Sequence, residues 1–239
     1  MPPAWRHRDT VVRRPVGEVT AKPLFKEVAQ HRSQLYWLLS SLYLRKPDVS
    51  FLKELTGWLA ASSNTDPENS VARGLEMVQQ AATECDIERL AVEYTRLFGG
   101  IKQGYGPPPP YESMYRESCL MGATTEAVTR TYAEAGFGTI DAAAGPQDHI
   151  GAELKFMSLV CYDEIAVWER EKPDAAVSSW KLQRSFLDEH LLRWVPAYCH
   201  RLQQETSEHF YAGAALLTEH AVAADRKILG HLLDEFAIA

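Results

Sequence analysis

The sequence has little of what covalent or redox chemistry needs. Of its 239 residues only four are cysteine, at Cys85, Cys119, Cys161 and Cys199. They are far apart and no two form a CxxC pair, so neither a zinc ribbon nor a disulfide framework is expected. A chain of this length buries a core without such staples. No stretch approaches the roughly 18 uninterrupted apolar residues of a membrane span. There is no Walker A loop, GxGxxG, GxSxG elbow or HExxH. Gly104-Tyr105-Gly106 runs into prolines instead of a helix. No catalytic residue, metal ligand set or resident cofactor is therefore assigned, and the chain is not read as an enzyme. A basic excess is missing too. The net charge is −7 and the pI about 5.6, which argues against a general nucleic-acid binder.

The charge is unevenly spread. Residues 1–22 carry Arg6, Arg8, Arg13, Arg14 and Lys22 against Asp9 and Glu18, a balance of +3, and the remainder carries −10. The acidic remainder favours cationic partners at long range. Arg13-Arg14 is followed by Pro15, Gly17 and Glu18 instead of an apolar segment, so no secretory or twin-arginine signal is read. With reduced thiols, the expected location is cytoplasmic. Residues 1–22 are expected to form a flexible basic tail, and 23–239 one all-helical domain.

What is present is helical periodicity. Val28, Leu35, Leu39 and Leu42 line one face after Pro23, up to Pro47. Leu52, Leu55 and Leu59 mark a helix near 51–60, and Val71, Leu75 and Val78 a third, after a loop at 62–67. Ile87, Leu90, Tyr94 and Leu97 follow Asp86 and stop at Gly99-Gly100. Residues 99–110 read GGIKQGYGPPPP, a loop ending in a stiff polyproline II segment. Helical structure restarts at 111–117 and again at about 124–135. Gly136, Gly138 and Gly145-Pro146 form a second irregular segment. The strongest helix carries Ile150, Leu154, Met157, Cys161, Ile165 and Trp168 on one side and Phe156, Val160 and Val167 on another, as the centre of a bundle does. Pro173 ends it. The next helix spans Trp180 to Leu202, with a bend expected at Pro196. The last segment, 208–236, reads as one helix or two. No alternating strand and no internal repeat is visible, so the fold class is all-α, a single-domain helical bundle.

Two loops, at about 99–114 and 137–149, carry the functional signal. Asp148 is placed to cap the central helix. His149 reads as a hydrogen-bonded imidazole or a polar contact beside a peptide groove. The spacing of His149 and Glu153 could hold a metal, but a surface hydrogen bond is the simpler reading. Tyr105, Tyr111 and Tyr115 flank the prolines. They either anchor the loop or offer rigid aromatic contact area for an apolar peptide.

Two segments together resemble the TorD/DmsD/NarJ family of redox-enzyme maturation chaperones. The first is EYTRLFGGIKQGYGPPPPYESMY, Glu93 to Tyr115. Its matching positions are Tyr94, Leu97, Phe98, Pro109, Pro110, Tyr111, Glu112, Ser113 and Tyr115. The second is Pro146-Gln147-Asp148-His149 leading into Glu153-Leu154-x-Phe156-Met157. A weaker third is Phe186-Leu187-x-x-His190-Leu191-x-x-Trp194 with Tyr198. Tyr111 stands where the family often has Trp.

The resemblance implies a TorD-like helical bundle. It implies a dedicated chaperone for a molybdenum or tungsten oxidoreductase catalytic subunit. Such a chaperone binds the client's N-terminal segment, often a twin-arginine signal peptide, and holds the apoprotein for insertion of its bis-pyranopterin guanine dinucleotide cofactor before export. It implies client-binding roles for Tyr94, Leu97 and Phe98 as groove wall. Pro109, Pro110, Tyr111, Glu112 and Tyr115 would form the loop, and Asp148 and His149 the polar contacts. A monomer or a domain-swapped dimer fits. The competing readings are a NarJ-like assembly factor for a non-exported subunit, a helical protein acting on a nucleotide, and a purely structural helical adaptor.

Overall fold

The computed structural model describes residues 18–61, 70–99 and 107–238. They contain ten α-helices: α1 (Glu18–Leu44), α2 (Val49–Ala61), α3 (Ser70–Glu84), α4 (Ile87–Phe98), α5 (Glu112–Arg116), α6 (Ala123–Glu134), α7 (Ile150–Glu169), α8 (Pro173–Phe186), α9 (Leu192–Glu205) and α10 (His209–Ile238). A 3₁₀ turn lies at Ala142–Ala144, and a π-helical turn at Leu187–Leu191 joins α8 to α9. No strand occurs among the described residues beyond one isolated antiparallel bridge. The chain is a single-domain all-α bundle, and no described helix is long and apolar enough to cross a membrane.

Local chemistry sets several boundaries. Asp86 caps α4 by accepting from the backbone of Glu88 and Arg89, and Asp48 caps α2 by accepting from Phe51 N at 2.7 Å. The last segment is one continuous helix, α10. Helix α1 begins at Glu18, so residues 18–22 belong to it and not to the expected tail. The rest of that tail, the loop 62–67 and Tyr105 lie outside the described residues. A π turn lies just ahead of Pro196, where the bend is expected. There Leu192 N reaches Leu187 O, five residues back, and Pro196 sits inside α9.

Helix α7 is the centre. It is apolar on two sides because it packs on α1 along one and on α8 along another. Small residues bring α1 and α7 together. Ser33 Oγ donates to Ser158 O at 3.0 Å and Ser158 Oγ to Ser33 O at 2.8 Å, while Ser40 Oγ donates to Gly151 O at 2.7 Å. A Cβ at Gly151 would lie 2.5 Å from Leu44 Cγ, so any larger residue there would force the Leu44 side chain to move. Gly74 plays the same part between α3 and α10, with Leu217 Cα 2.7 Å from where its Cβ would be.

One buried ionic cluster ties four helices. Arg32 of α1 donates through Nε to Asp225 Oδ1 of α10 at 2.5 Å and through Nη2 to Oδ2 at 3.0 Å. It also contacts Glu164 of α7 at 3.4 Å and the Gln183 side chain of α8. Tyr36 Oη donates to Asp225 at 2.7 Å. The indoles of Trp168 and Trp180 donate to Glu164 Oε1 at 3.2 and 2.6 Å, and Gln183 Nε2 donates to its Oε2 at 2.9 Å.

Candidate functional site

Four consecutive prolines cannot be helical and none of them has an N–H to donate, so Pro107–Pro110 must be extended and must lend its carbonyls elsewhere. Pro110 O accepts from Ile150 N at 2.9 Å, which satisfies one of the free amides at the start of α7. Glu112 N donates to Asp148 O at 2.9 Å, and together these bonds make the antiparallel bridge Tyr111–His149. The two loops singled out from the sequence are thereby zipped together.

Asp148 does not cap the central helix as expected. Its Oδ2 accepts from Ser113 N at 2.9 Å and so caps α5, from the other loop. The cap of α7 is His149, whose Nδ1 accepts from Gly151 N at 3.0 Å. That bond requires a lone pair on Nδ1, so the proton of the neutral ring is on Nε2. Burial pushes His149 down to about 4, and the neutral ring is the form that caps. The ring meets Tyr111 edge-on at 5.1 Å, and Tyr111 Oη donates to Ala144 O at 3.1 Å. Gln147 organises the second loop. Its Oε1 accepts from Ile140 N at 2.7 Å, and its Nε2 donates to Asp141 O and Gly145 O, each at 2.9 Å.

Glu112 is the hub beneath the bridge, with no exposure at all. One oxygen meets Arg116 Nη1 at 2.5 Å and the other His190 Nδ1 at 2.9 Å. The π turn sets His190 facing inward, and such turns recur where a side chain must be re-aimed. Glu153 lies beside Glu112 and is wholly buried, not on the surface. Its Oε2 accepts from Trp194 Nε1 at 3.2 Å. Burial and the neighbouring Glu112 carboxylate hold its pKa well above the usual carboxylate range, so it keeps a proton and donates toward Glu112. No group of three or more His, Cys, Asp or Glu among the described residues is arranged to hold a metal.

An aromatic row runs outward from this junction. Tyr94 stacks on Phe98 at 5.0 Å, Phe98 on Tyr43 at 5.7 Å, Tyr43 on Tyr198 at 6.0 Å, Tyr198 on Tyr115 at 5.7 Å, and Tyr115 on Trp194 at 5.5 Å. Tyr94 Oη donates to Tyr43 O at 2.8 Å, and burial pushes Tyr94 up to about 12.

The residues singled out from the sequence thus divide by exposure. Leu97, Pro110, Glu112, Asp148 and His149 are buried and build the frame. Tyr94, Phe98, Pro109, Tyr111 and Tyr115 are half-buried and reachable, beside exposed Pro108. Sequence reasoning assigned no role to Arg116, Gln147, His190 or Trp194. Of these, His190 and Trp194 stand in the third, weaker motif. Gln147 fills the variable position of the second motif, and Arg116 carried no signal.

The model of the nitrate reductase delta subunit family matches residues 65–200, more than half of the chain. The chaperone protein TorD of Vibrio cholerae serotype O1 (strain El Tor Inaba N16961) is 25% identical over 218 residues, 88% of this chain and 97% of that one. The chaperone protein YcdY of Escherichia coli K12 is 28% identical over 192 residues, 78% of this chain and 89% of that one. A crystal structure from Archaeoglobus fulgidus, described as that of a redox enzyme maturation protein, superposes with a TM-score of 0.50 at 22% identity, covering 83% of this chain and 93% of that one; it shares the fold. With the zipped loops, the aromatic row and the helical bundle, these matches place the chain in the TorD/DmsD/NarJ family of redox-enzyme maturation chaperones, non-catalytic proteins that serve the maturation of molybdoenzymes.

Proposed function

We propose that the half-buried face formed by Tyr94, Phe98, Pro109, Tyr111 and Tyr115 holds the N-terminal segment of one molybdenum or tungsten oxidoreductase catalytic subunit. In this reading the segment is a twin-arginine signal peptide. The chaperone acts in the cytoplasm and keeps the apoprotein competent for insertion of the client's bis-pyranopterin guanine dinucleotide before export. The observation that carries this reading is the Tyr111–His149 bridge, which fixes a proline–tyrosine loop rigidly on a buried frame. A rigid aromatic edge binds an apolar segment at low entropic cost. The acidic charge of the chain favours the cationic start of such a peptide.

The test is a titration of the full chain with a client signal peptide, alongside the Tyr111→Ala variant. The expected result is a loss of about tenfold or more in affinity, with helical circular dichroism unchanged. Unchanged affinity would overturn the assignment of this face. The nitrate reductase delta subunit match favours a second reading, a client that is assembled without export. The two separate on a client lacking its N-terminal segment. Capture that survives the deletion means the contact is with the mature fold.

A further inference from the structure

The protein is acidic, yet one cavity of about 260 Å³ gathers three arginines from three elements. Arg116 comes from α5, Arg130 from α6 and Arg193 from α9, and His190 of the π turn forms part of the wall. Two of the guanidinium groups are held by one edge only. Arg116 Nη1 donates to Glu112 Oε1 at 2.5 Å and to Glu189 O at 3.1 Å. Arg193 Nε donates to Asp188 O at 3.0 Å. These bonds aim the groups and leave their other N–H donors available. Arg130 makes no ion pair among the described residues. Glu189 is the one acid lining the cavity, and its carboxylate is engaged by Ser185 Oγ at 2.7 Å. Arg116 is paired with Glu112, while Arg130 and Arg193 meet no carboxylate among the described residues, so the cavity keeps an excess of positive charge that an anion relieves.

We propose that this cavity is a phosphate site, taking the mono- or diphosphate group of a small molecule through Arg116, Arg130 and Arg193. Planar guanidinium forks match phosphate oxygens bidentately. The remaining lining is Ala127 and Thr131, with no phenyl, phenol or indole ring. The one ring in the wall, His190, is buried and engaged by Glu112, so a nucleobase finds no exposed aromatic face and recognition rests on the phosphates. Inorganic diphosphate and a nucleoside diphosphate then bind alike, because the ester adds nothing the pocket reads. The site is separate from the aromatic face proposed for the client and stands without that reading.

The test is calorimetric titration of the full chain with inorganic phosphate, inorganic diphosphate, a nucleoside diphosphate and a glutamate-rich peptide. The expected result is saturable one-to-one binding of inorganic diphosphate and of the nucleoside diphosphate, within about threefold of each other, weakening as salt rises. The Arg130→Gln/Arg193→Gln double variant should lose about tenfold or more. Both residues are exposed, so helical circular dichroism should not change; if the double variant misfolds, single Arg130→Gln should still lose affinity. Four results would overturn the proposal: no saturable binding of any phosphate, binding untouched by the variants, a nucleoside diphosphate bound far more tightly than inorganic diphosphate, or binding of the acidic peptide alone.

Discussion

The core cluster around Arg32 and the loop junction around Glu112 are both buried and both ionic, and they are compensated differently. Around Arg32 every charge meets an opposite charge or a hydrogen-bond donor. Two carboxylates, an amide, a phenol and two indoles close the network. Around Glu112 the balance tips toward acids, with one partly exposed arginine. Ser113 Oγ and Asp148 Oδ1 are buried without a donor or acceptor aimed at them, as is Tyr198 Oη in the adjoining aromatic row. Buried polar groups are normally paired, so unpaired ones mark where a structure has been kept short of its most stable arrangement. The core cluster fixes how α1, α7, α8 and α10 sit together. The loop junction keeps unspent polar capacity directly beneath the surface proposed to meet a client.

The largest effect expected from this contrast is on stability. Arg32→Ala strands Asp225 and Glu164 in the core and should cost about 3–5 kcal/mol. Arg116→Ala removes a side chain that is 38% exposed and leaves the buried Glu112 with His190 as its partner, so it should cost less, about 1–2 kcal/mol. Urea unfolding of the two variants gives the ratio directly. Equal costs would mean the two clusters are held by the same means, and the contrast would fail.

Next in size is an acid-side effect at the junction. His149 is neutral in the folded protein, with its pKa lowered from 6.5 to about 4 by burial. A group lowered in this way contributes stability that is fully present above its unfolded value. That contribution is lost as pH falls from 6.5 through the folded value. The loss amounts to about 3 kcal/mol by the bottom of that window. His149→Asn keeps a side-chain acceptor for Gly151 N and removes the titration. Its stability should therefore fall less than that of the wild type between pH 7 and pH 4, measured by urea unfolding at each pH. Parallel curves for the two proteins would show that His149 does not titrate in this window.

How far the sequence reached follows the same division. The helices were legible because their apolar positions recur at the helical period, and because Pro47, Asp86, Gly99 and Pro173 punctuate locally. One irregularity went unread for a local reason. Pro196 announces itself, whereas the π turn lies before it, where no residue type announces one. The junction was legible as two motifs and illegible as a circuit. Asp148 looks like the cap of the helix that follows it in sequence, and only folding shows it capping α5 on the other loop. Glu112 and His190 are 78 residues apart, so no spacing rule pairs them. Glu153 read as a surface partner of His149 because the pattern of α7 does not reveal that Glu112 and Trp194 close over it.

The smallest effect expected is also the one that separates the junction from the core by sign. Glu153 holds its proton because burial and the Glu112 carboxylate raise it well above its ordinary 4.5. A raised carboxyl contributes stability that is complete below 4.5 and is lost as pH rises toward the folded value. Its slope thus opposes that of His149, and the two cancel where their windows overlap. Glu153→Gln keeps an acceptor for Trp194 Nε1, and its amide supplies the donor toward Glu112 that the proton now provides. At pH 4 the variant and the wild type should be close in stability. At pH 8 the variant should be the more stable of the two, by an amount that grows with pH until Glu153 ionises. A variant less stable than the wild type at pH 8 would mean that Glu153 is ionised in the fold. The acid-rich junction would then need a cation from outside it to be held together, and its difference from the core cluster would lie in partner supply instead of in a shared proton.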